Sequence, residues 1–470
     1  MKSTAERWNV TERRVTALCR NGRIIGAKKE GKNWFIPEDV ELPPDGRSKE
    51  AIEKKKDIIA NRVTVGYTAF GAKEHAYEEY VKTYGKEPQD VAFTPYRICP
   101  IGAHVDHNLG KITGFALDKG IYVVYGPKMN GVIEIRSLQF PKRAQWHVLE
   151  VPKKKENDWA DHLRGATIAL SERYPLRIGL SAVIDGELPI GGLSSSAAVI
   201  ITYLSALAKL NNIELTPTEM IIISKEAENK YVGVACGKLD QSCEVYCRKE
   251  QLLYLDVKND SYELIHAPEA MKKYEIAVFF SGIERSLTSS KYNMRVDECR
   301  SAAYALLAFA GMDYGKYEEA NLRDVPHEVY LKYKDRLPEN WRKRAEHWYS
   351  ECRRVEAGVE AWRRGDIEEY GRLSFESGRS SIENWETGSP ELIKLYDIMT
   401  HTEGIYGGRF SGAGFKGCCM ALIDPAKEKA VLEQVEREYL EAFPELKGKY
   451  SAHICHTADG VRLCGSERKN

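Results

Sequence analysis

Apolar and polar residues alternate with two different rhythms along the chain, and the change of rhythm divides it. In the leading segment STAERW (3–8) starts with an N-cap candidate, and Asn9-Val10-Thr11 reads as a turn followed by a second cap. ERRVTALCRNG (12–22) then runs as an amphipathic helix ending at Gly22. RIIGAKKEGKNWFIP (23–37) predicts two short strands around Lys29-Glu30-Gly31-Lys32, closed by Pro37. The predicted order is helix, turn, helix, hairpin. ELPPDGRSKEAIEKKKD (41–57) has few apolar anchors, which is linker composition.

From about residue 58 strands and helices intermix. FTPYRICPIG (93–102) and IYVVYG (121–126) read as strands, AAVIITYLSALAKL (197–210) as a buried helix, YEIAVFF (274–280) and CMALID (419–424) as further strands. The runs 297–311 and 341–365 have helical period, so the second half is α-rich over a sheet. The expected division is a small domain at 1–45, a charged linker at 46–57, and two lobes at 58–255 and 256–470.

Composition narrows the functional classes. At 470 residues the chain has room for roughly two to four domains. Lys and Arg total 69 and Asp and Glu 69, so no global field draws the protein to nucleic acid or a membrane. No apolar run approaches the roughly 18 residues of a membrane span and no secretory h-region is present, so a cytoplasmic location is expected. The eleven cysteines lack zinc-like spacing and read as reduced, mostly buried thiols.

Three stretches carry chemistry. In ELPIGGLSSSAAVIITYLSAL (187–207) a glycine pair allows close backbone approach, three serines supply hydroxyls, and a helix N-terminus follows, which together make an anion cradle. The Lys of a Walker A loop is missing, which excludes a generic P-loop. In EAENKYVGVACGKLDQSC (226–243), Glu228 is a candidate for holding Mg²⁺ and Asp240 for taking a hydroxyl proton; by themselves both also fit solvated carboxylates. GGRFSGAGFKGCC (407–419) is a second glycine-rich loop, whose Gly412 and Gly414 either close over phosphates or allow a tight turn.

These stretches follow RICPIGAHVDHNLG (97–110) in a fixed order, with DWADHLRG (158–165) and SLTSSKYNMRVDECRSAA (286–303) between them. From about residue 60 onward the chain resembles the galactokinase branch of the GHMP small-molecule kinases. The resemblance implies a two-lobed α+β fold with its site between the lobes. It also implies that Gly191, Gly192, Ser194 and Ser195 cradle the phosphates of ATP, that Ser196 and Glu228 hold Mg²⁺, and that Trp159 packs near the adenine. Asp240 resembles the family's catalytic aspartate at the anomeric hydroxyl, with Arg97 stabilising its charged form and the transferring phosphoryl group. His104, Asp106 and Tyr292 then line the sugar, with Asp106 accepting from two ring hydroxyls.

One departure bears on the substrate. The family carries Glu where this chain has Ala103, and Tyr where it has His107. The family's Glu faces the C6 hydroxyl of galactose. Opposite a C6 carboxylate it would set two anions in contact, and Ala removes that repulsion. This loop is similar to that of the uronic-acid kinases of the same branch, with His107 adding a donor or, when protonated, a charge.

The leading segment resembles the winged helix-turn-helix of MerR-type regulators and excisionases. That implies DNA contact through Arg13, Arg14, Arg20, Lys28, Lys29 and Lys32, and association as a homodimer. Glu6, Glu12 and Glu30 dilute the charge and leave a plain solvated face as the alternative. Three readings stand: an ATP-dependent kinase making galacturonate 1-phosphate, a galactokinase, and a sugar-sensing DNA-binding regulator. None of them requires a membrane.

Overall fold

In the computed structural model the described residues are 2–8, 11–20, 28–30, 33–36, 71–283 and 289–465. The chain divides into two compact units, Met1–Gly66 and Tyr67–Asn470. The described residues of the first are two helices, Lys2–Arg7 and Glu12–Arg20, and an antiparallel pair, Lys28–Glu30 with Asn33–Phe35. Ala5, Val15 and Cys19 are buried there, and Arg13 is exposed. The residues of the expected turn at Asn9-Val10, the helix end at Gly22, the hairpin tip at Gly31-Lys32 and the linker 46–57 lie outside the described residues. So do the side chains of Arg14, Arg20, Lys28 and Lys29.

In the second unit the strand Lys111–Lys128 is the spine, because its apolar residues are buried on both faces along most of its length. It pairs antiparallel with Asp90–Ile98 on one side and Gly179–Gly186 on the other. Val132–Ser137 joins Gly179–Gly186 in parallel, and Ala144–His147 forms the far edge, so the sheet is mixed. Ser195–Leu210 lies against Asp90–Ile98 and Lys111–Lys128; it is buried nearly all round, as its unbroken apolar run requires.

A second sheet is wholly antiparallel, in the order Ile405–Phe410, Cys418–Ile423, Glu275–Phe280, Ser451–Cys455. Helices Pro390–His401 and Glu428–Ala442 bury Leu395, Met399, Val431 and Val435 against it. The long helices Ser289–Phe309, Glu339–Arg363 and Ile367–Glu383 account for the α-rich second half. Thr457–Ala458 and Arg462–Leu463 return to the first sheet. The chain therefore crosses between the sheets more than once, and the lobe boundary expected after residue 255 falls one residue before the end of the strand Gln251–Asp256.

The strand expected at 93–102 ends at Ile98. Gly102 at φ +105° and His104 at φ +64° are left-handed, which turns the chain out of the sheet.

Within the later half of the second unit the helix Ile367–Glu383 packs closely across the strand Ile405–Phe410. A Cβ on Gly371 would lie 2.1 Å from the carbonyl oxygen of Tyr406, and one on Gly407 would lie 2.1 Å from that of Gly371. Backbone blocks both additions, so no rotamer relieves them. Gly371→Ala is expected to destabilise the protein by about 3 kcal/mol, read as a lower denaturation midpoint in urea at unchanged slope. An unchanged midpoint would contradict this packing.

Candidate active site

Arg97 enters the site at a register shift in the strand Asp90–Ile98, between Pro95 and Arg97, where a bulge re-aims the side chain. Its Nε and one terminal nitrogen each donate to Asp240 Oδ1 at 2.9 Å. Its other terminal nitrogen reaches the Gly192 carbonyl at 3.3 Å and Ser411 Oγ at 3.4 Å. Burial disfavours the guanidinium charge, but the adjacent Asp240 more than restores it, and the pKa of Arg97 lies above its ordinary value. Asp240 stands in the first turn of the helix Leu239–Tyr246 with 29% of its side chain exposed, and both contacts from Arg97 go to the one oxygen, Oδ1.

Glu228 sits in a π-helical turn, Ala227–Val232, that interrupts the regular spiral after the helix Pro217–Glu226. Gln241 Nε2 donates to it at 2.7 Å, the Cys236 thiol lies at 3.5 Å, and the Ser196 hydroxyl also bonds to it. Burial, followed by the charge of Asp240, pushes its pKa up to about 7 despite these donors. Asp106 accepts the Leu239 amide at 3.0 Å on Oδ2, and a side chain at Gly237 would collide with that carboxylate. Burial raises its pKa as well.

The two glycine-rich loops lie backbone on backbone. Gly191 and Gly192 have φ of +130° and +88°; a Cβ on Gly417 would lie 2.5 Å from Gly191 C, and one on Gly412 would lie 2.9 Å from Gly192 Cα. Gly412 thus packs on the first loop, while the Gly414 carbonyl accepts the Gly388 amide at 2.8 Å. Ser194, at φ +58°, precedes the helix Ser195–Leu210, and its buried hydroxyl has no hydrogen-bond partner among the described residues. An unpartnered donor beside free helix N–H groups and a side-chain-free backbone suits a phosphate.

His104, His107 and Tyr292 gather around Trp385. His104 stacks on the indole at 5.1 Å and 7°, His107 lies 5.3 Å from it, and Tyr292 6.4 Å. Burial holds His107 at about 3, with nearby His347 and Arg300 acting the same way, and burial likewise depresses His104 well below its ordinary value. His107 is therefore neutral near pH 7, so of the two roles expected for it, a donor or a charge, the structure favours the donor. Ala103 is buried, and its carbonyl accepts His347 Nε2–H at 3.0 Å. Trp159 stacks on Phe140 at 5.9 Å and donates to the Lys142 carbonyl; among the described residues no hydrogen bond or ring contact joins it to the other candidates.

Family models match at three places: the N-terminal domain of GHMP kinases at residues 161–248, their C-terminal region at 359–442, and the galactokinase galactose-binding signature at 78–127. A galacturonokinase of Arabidopsis thaliana is 40% identical, covering 79% of this chain and 93% of its own. A galactokinase of Roseiflexus sp. (strain RS-1) is 29% identical over 82% of this chain and 95% of its own. This chain belongs to the GHMP kinases, in the galactokinase branch. The crystal structure of Lactococcus lactis galactokinase complexed with galactose superposes with a TM-score of 0.75 at 26% identity, covering 82% of this chain and 98% of that one. The kinase is an ATP-dependent sugar kinase with the two-lobed α+β fold of that branch.

Within this kinase, sequence reasoning missed Ser411 and Trp385, and with them His347, which bonds the Ala103 carbonyl in the loop 97–110. A lone His or Trp in a helical or loop stretch carries no spacing signal, so only tertiary contacts single them out. Among the described residues no helix is long and apolar enough to cross a membrane. The eleven cysteines are free thiols.

Glu228 also links the site to stability. A carboxyl raised from 4.5 to about 7 binds its proton more tightly in the folded state, so stability is lost as pH rises through that window. Glu228→Gln is expected to melt at a higher temperature than the parent at pH 8, with the gap closing as pH falls below about 4.5. Thermal melts across that range test this, and a gap independent of pH would refute it.

Proposed function

We propose that this kinase transfers the γ-phosphoryl group of ATP to the anomeric hydroxyl of galacturonate, giving galacturonate 1-phosphate and ADP. The observation that carries the choice of sugar is Ala103, small and buried, where the branch places a carboxylate. The higher identity to the Arabidopsis galacturonokinase than to the Roseiflexus galactokinase supports it. The neutral histidines offer N–H donors without adding a carboxylate to repel a uronate.

Arg97 holds Asp240 through Oδ1, which leaves Oδ2 for the anomeric hydroxyl. Asp240 takes the hydroxyl proton as the sugar oxygen bonds to the γ-phosphorus; the bond to the bridging oxygen breaks, and ADP leaves. Arg97 offsets charge on the transferring group. Gly191, Gly192, Ser194 and Ser195 bind the phosphates, with Gly412 and Gly414 shaping the second loop against them and Trp159 beside the base. His104, Asp106, His107 and Tyr292 bind the sugar next to Ala103.

Ser196 and Glu228, already bonded to one another, are the oxygen donors that would hold Mg²⁺. Bound there, the ion would neutralise charge on the nucleotide phosphates. A cytoplasmic setting suits the free thiols.

The test is kcat/KM for galacturonate, glucuronate, galactose and glucose with ATP and Mg²⁺. Galacturonate is expected to lead, and a lead for galactose would overturn the choice of sugar. Asp240→Asn is expected to lower kcat by about a thousandfold or more while nucleotide binding persists; retention of most activity would remove Asp240 from the reaction. Ala103→Glu is expected to move the galacturonate-to-galactose ratio at least about tenfold toward galactose, and an unchanged ratio would defeat the repulsion argument.

A second reading concerns the amino-terminal unit, whose described elements run helix, helix, hairpin. We propose that it contacts DNA as a winged helix-turn-helix, in a homodimer. The full-length protein is then expected to retard duplex DNA in a salt-dependent manner and to have the mass of a dimer in solution. No retardation at low salt would overturn this.

A further inference from the structure

The backbone of the sugar loop is held from behind by side chains outside the candidate site. Ser374 Oγ donates to the Pro100 carbonyl at 3.0 Å, Glu351 accepts the Gly102 amide at 2.6 Å, and His347, one turn earlier on the same helix, holds the Ala103 carbonyl. These bonds reach a segment that contains left-handed Gly102 and His104, conformations that persist only when neighbours enforce them.

Glu351 does more than cap one amide. Its Oε1 also accepts the Ser377 hydroxyl and lies 3.4 Å from a terminal nitrogen of Arg409, while Oε2 accepts Arg354 Nε at 2.8 Å. Glu351 and Arg409 are both fully buried. Arg409 belongs to the strand Ile405–Phe410, and the next two residues are Ser411, which Arg97 contacts, and Gly412, which packs on Gly192. One carboxylate thus bonds the sugar loop and the strand leading into the second glycine-rich loop.

Stability alone is a poor account of such a pair, because replacing a buried ion pair by apolar residues of similar volume is often neutral or stabilising. We infer that Glu351 is a positioning residue of the reaction: through Gly102 it sets the sugar loop, and through Arg409 it keeps that loop in register with Ser411 and Gly412. The inference holds for whichever sugar the kinase prefers, and it is tested with the sugar the parent phosphorylates fastest.

Removing one charge from a buried pair is strongly destabilising, so the informative variant removes both. E351M/R409M is expected to keep its melting temperature within a few degrees of the parent. Its KM for sugar should rise about tenfold with a fall in kcat, and affinity for an ATP analogue without sugar should stay within about twofold. A parental KM for sugar in the folded double variant would overturn the inference, as would equal losses of sugar and nucleotide affinity. Ser377→Ala keeps every charge, removes the hydroxyl that donates to Glu351 and accepts from Arg409, and decides the matter if the double variant does not fold. It should raise the KM for sugar about two- to threefold at unchanged melting temperature, and an unchanged KM would refute the role.

Discussion

A guanidinium buried at the end of a strand must find its partners within the protein, and Arg97 finds them on three other segments. Asp240 comes from the first turn of a helix, Gly192 from the first glycine-rich loop, and Ser411 from the start of the second. Water cannot stand in for any of them at that depth, so the charge of Arg97 draws the candidate phosphate loops and the candidate base into one place. Its side chain is close to fully buried while Asp240 keeps part of its surface open, which leaves the carboxylate as the half of the pair accessible to a substrate.

Burial also sets the chemistry of the surrounding groups. Glu228 is raised toward neutrality because desolvation outweighs the donors it has. His104 and His107 are driven the other way and stay uncharged, so the wall beside Ala103 is built of neutral rings. A second buried pair, Glu351 and Arg409, stands behind that wall, and there the charges win: Arg354, His347 and Arg409 outweigh the burial that works against Glu351, and hold it at about 2. The two networks meet at Ser411, which follows Arg409 by two residues and touches Arg97.

Much of this was legible from spacing. The Gly-Gly-Leu-Ser-Ser-Ser run ahead of an apolar helix marks an anion cradle by local chemistry alone, and the helix begins at Ser195, two residues before the expected start at Ala197. The apolar runs 121–126, 274–280 and 419–424 fall within strands, give or take a residue at their ends. Where local reasoning misjudged, long-range packing decided. The strand from residue 93 stops at Ile98 because Gly102 and His104 turn the chain away, and Gly102 and Ala103 are tied to the helix Glu339–Arg363, about 250 residues later in the chain. His107, a candidate donor or charge in the sequence, is neutral because Trp385, Tyr292 and His347 enclose it.

By itself the sequence determined the elements, the family resemblance and the residue types of the site, because helix caps, glycine turns and alternation act over a few residues. Only the tertiary structure decided which groups share a site and in what state. It brought Ser411 to Arg97, Trp385 to His104, and Glu351 to Gly102. Those pairings depend on how the sheets and helices close over one another, and burial, which sets charge, exists only once they have closed.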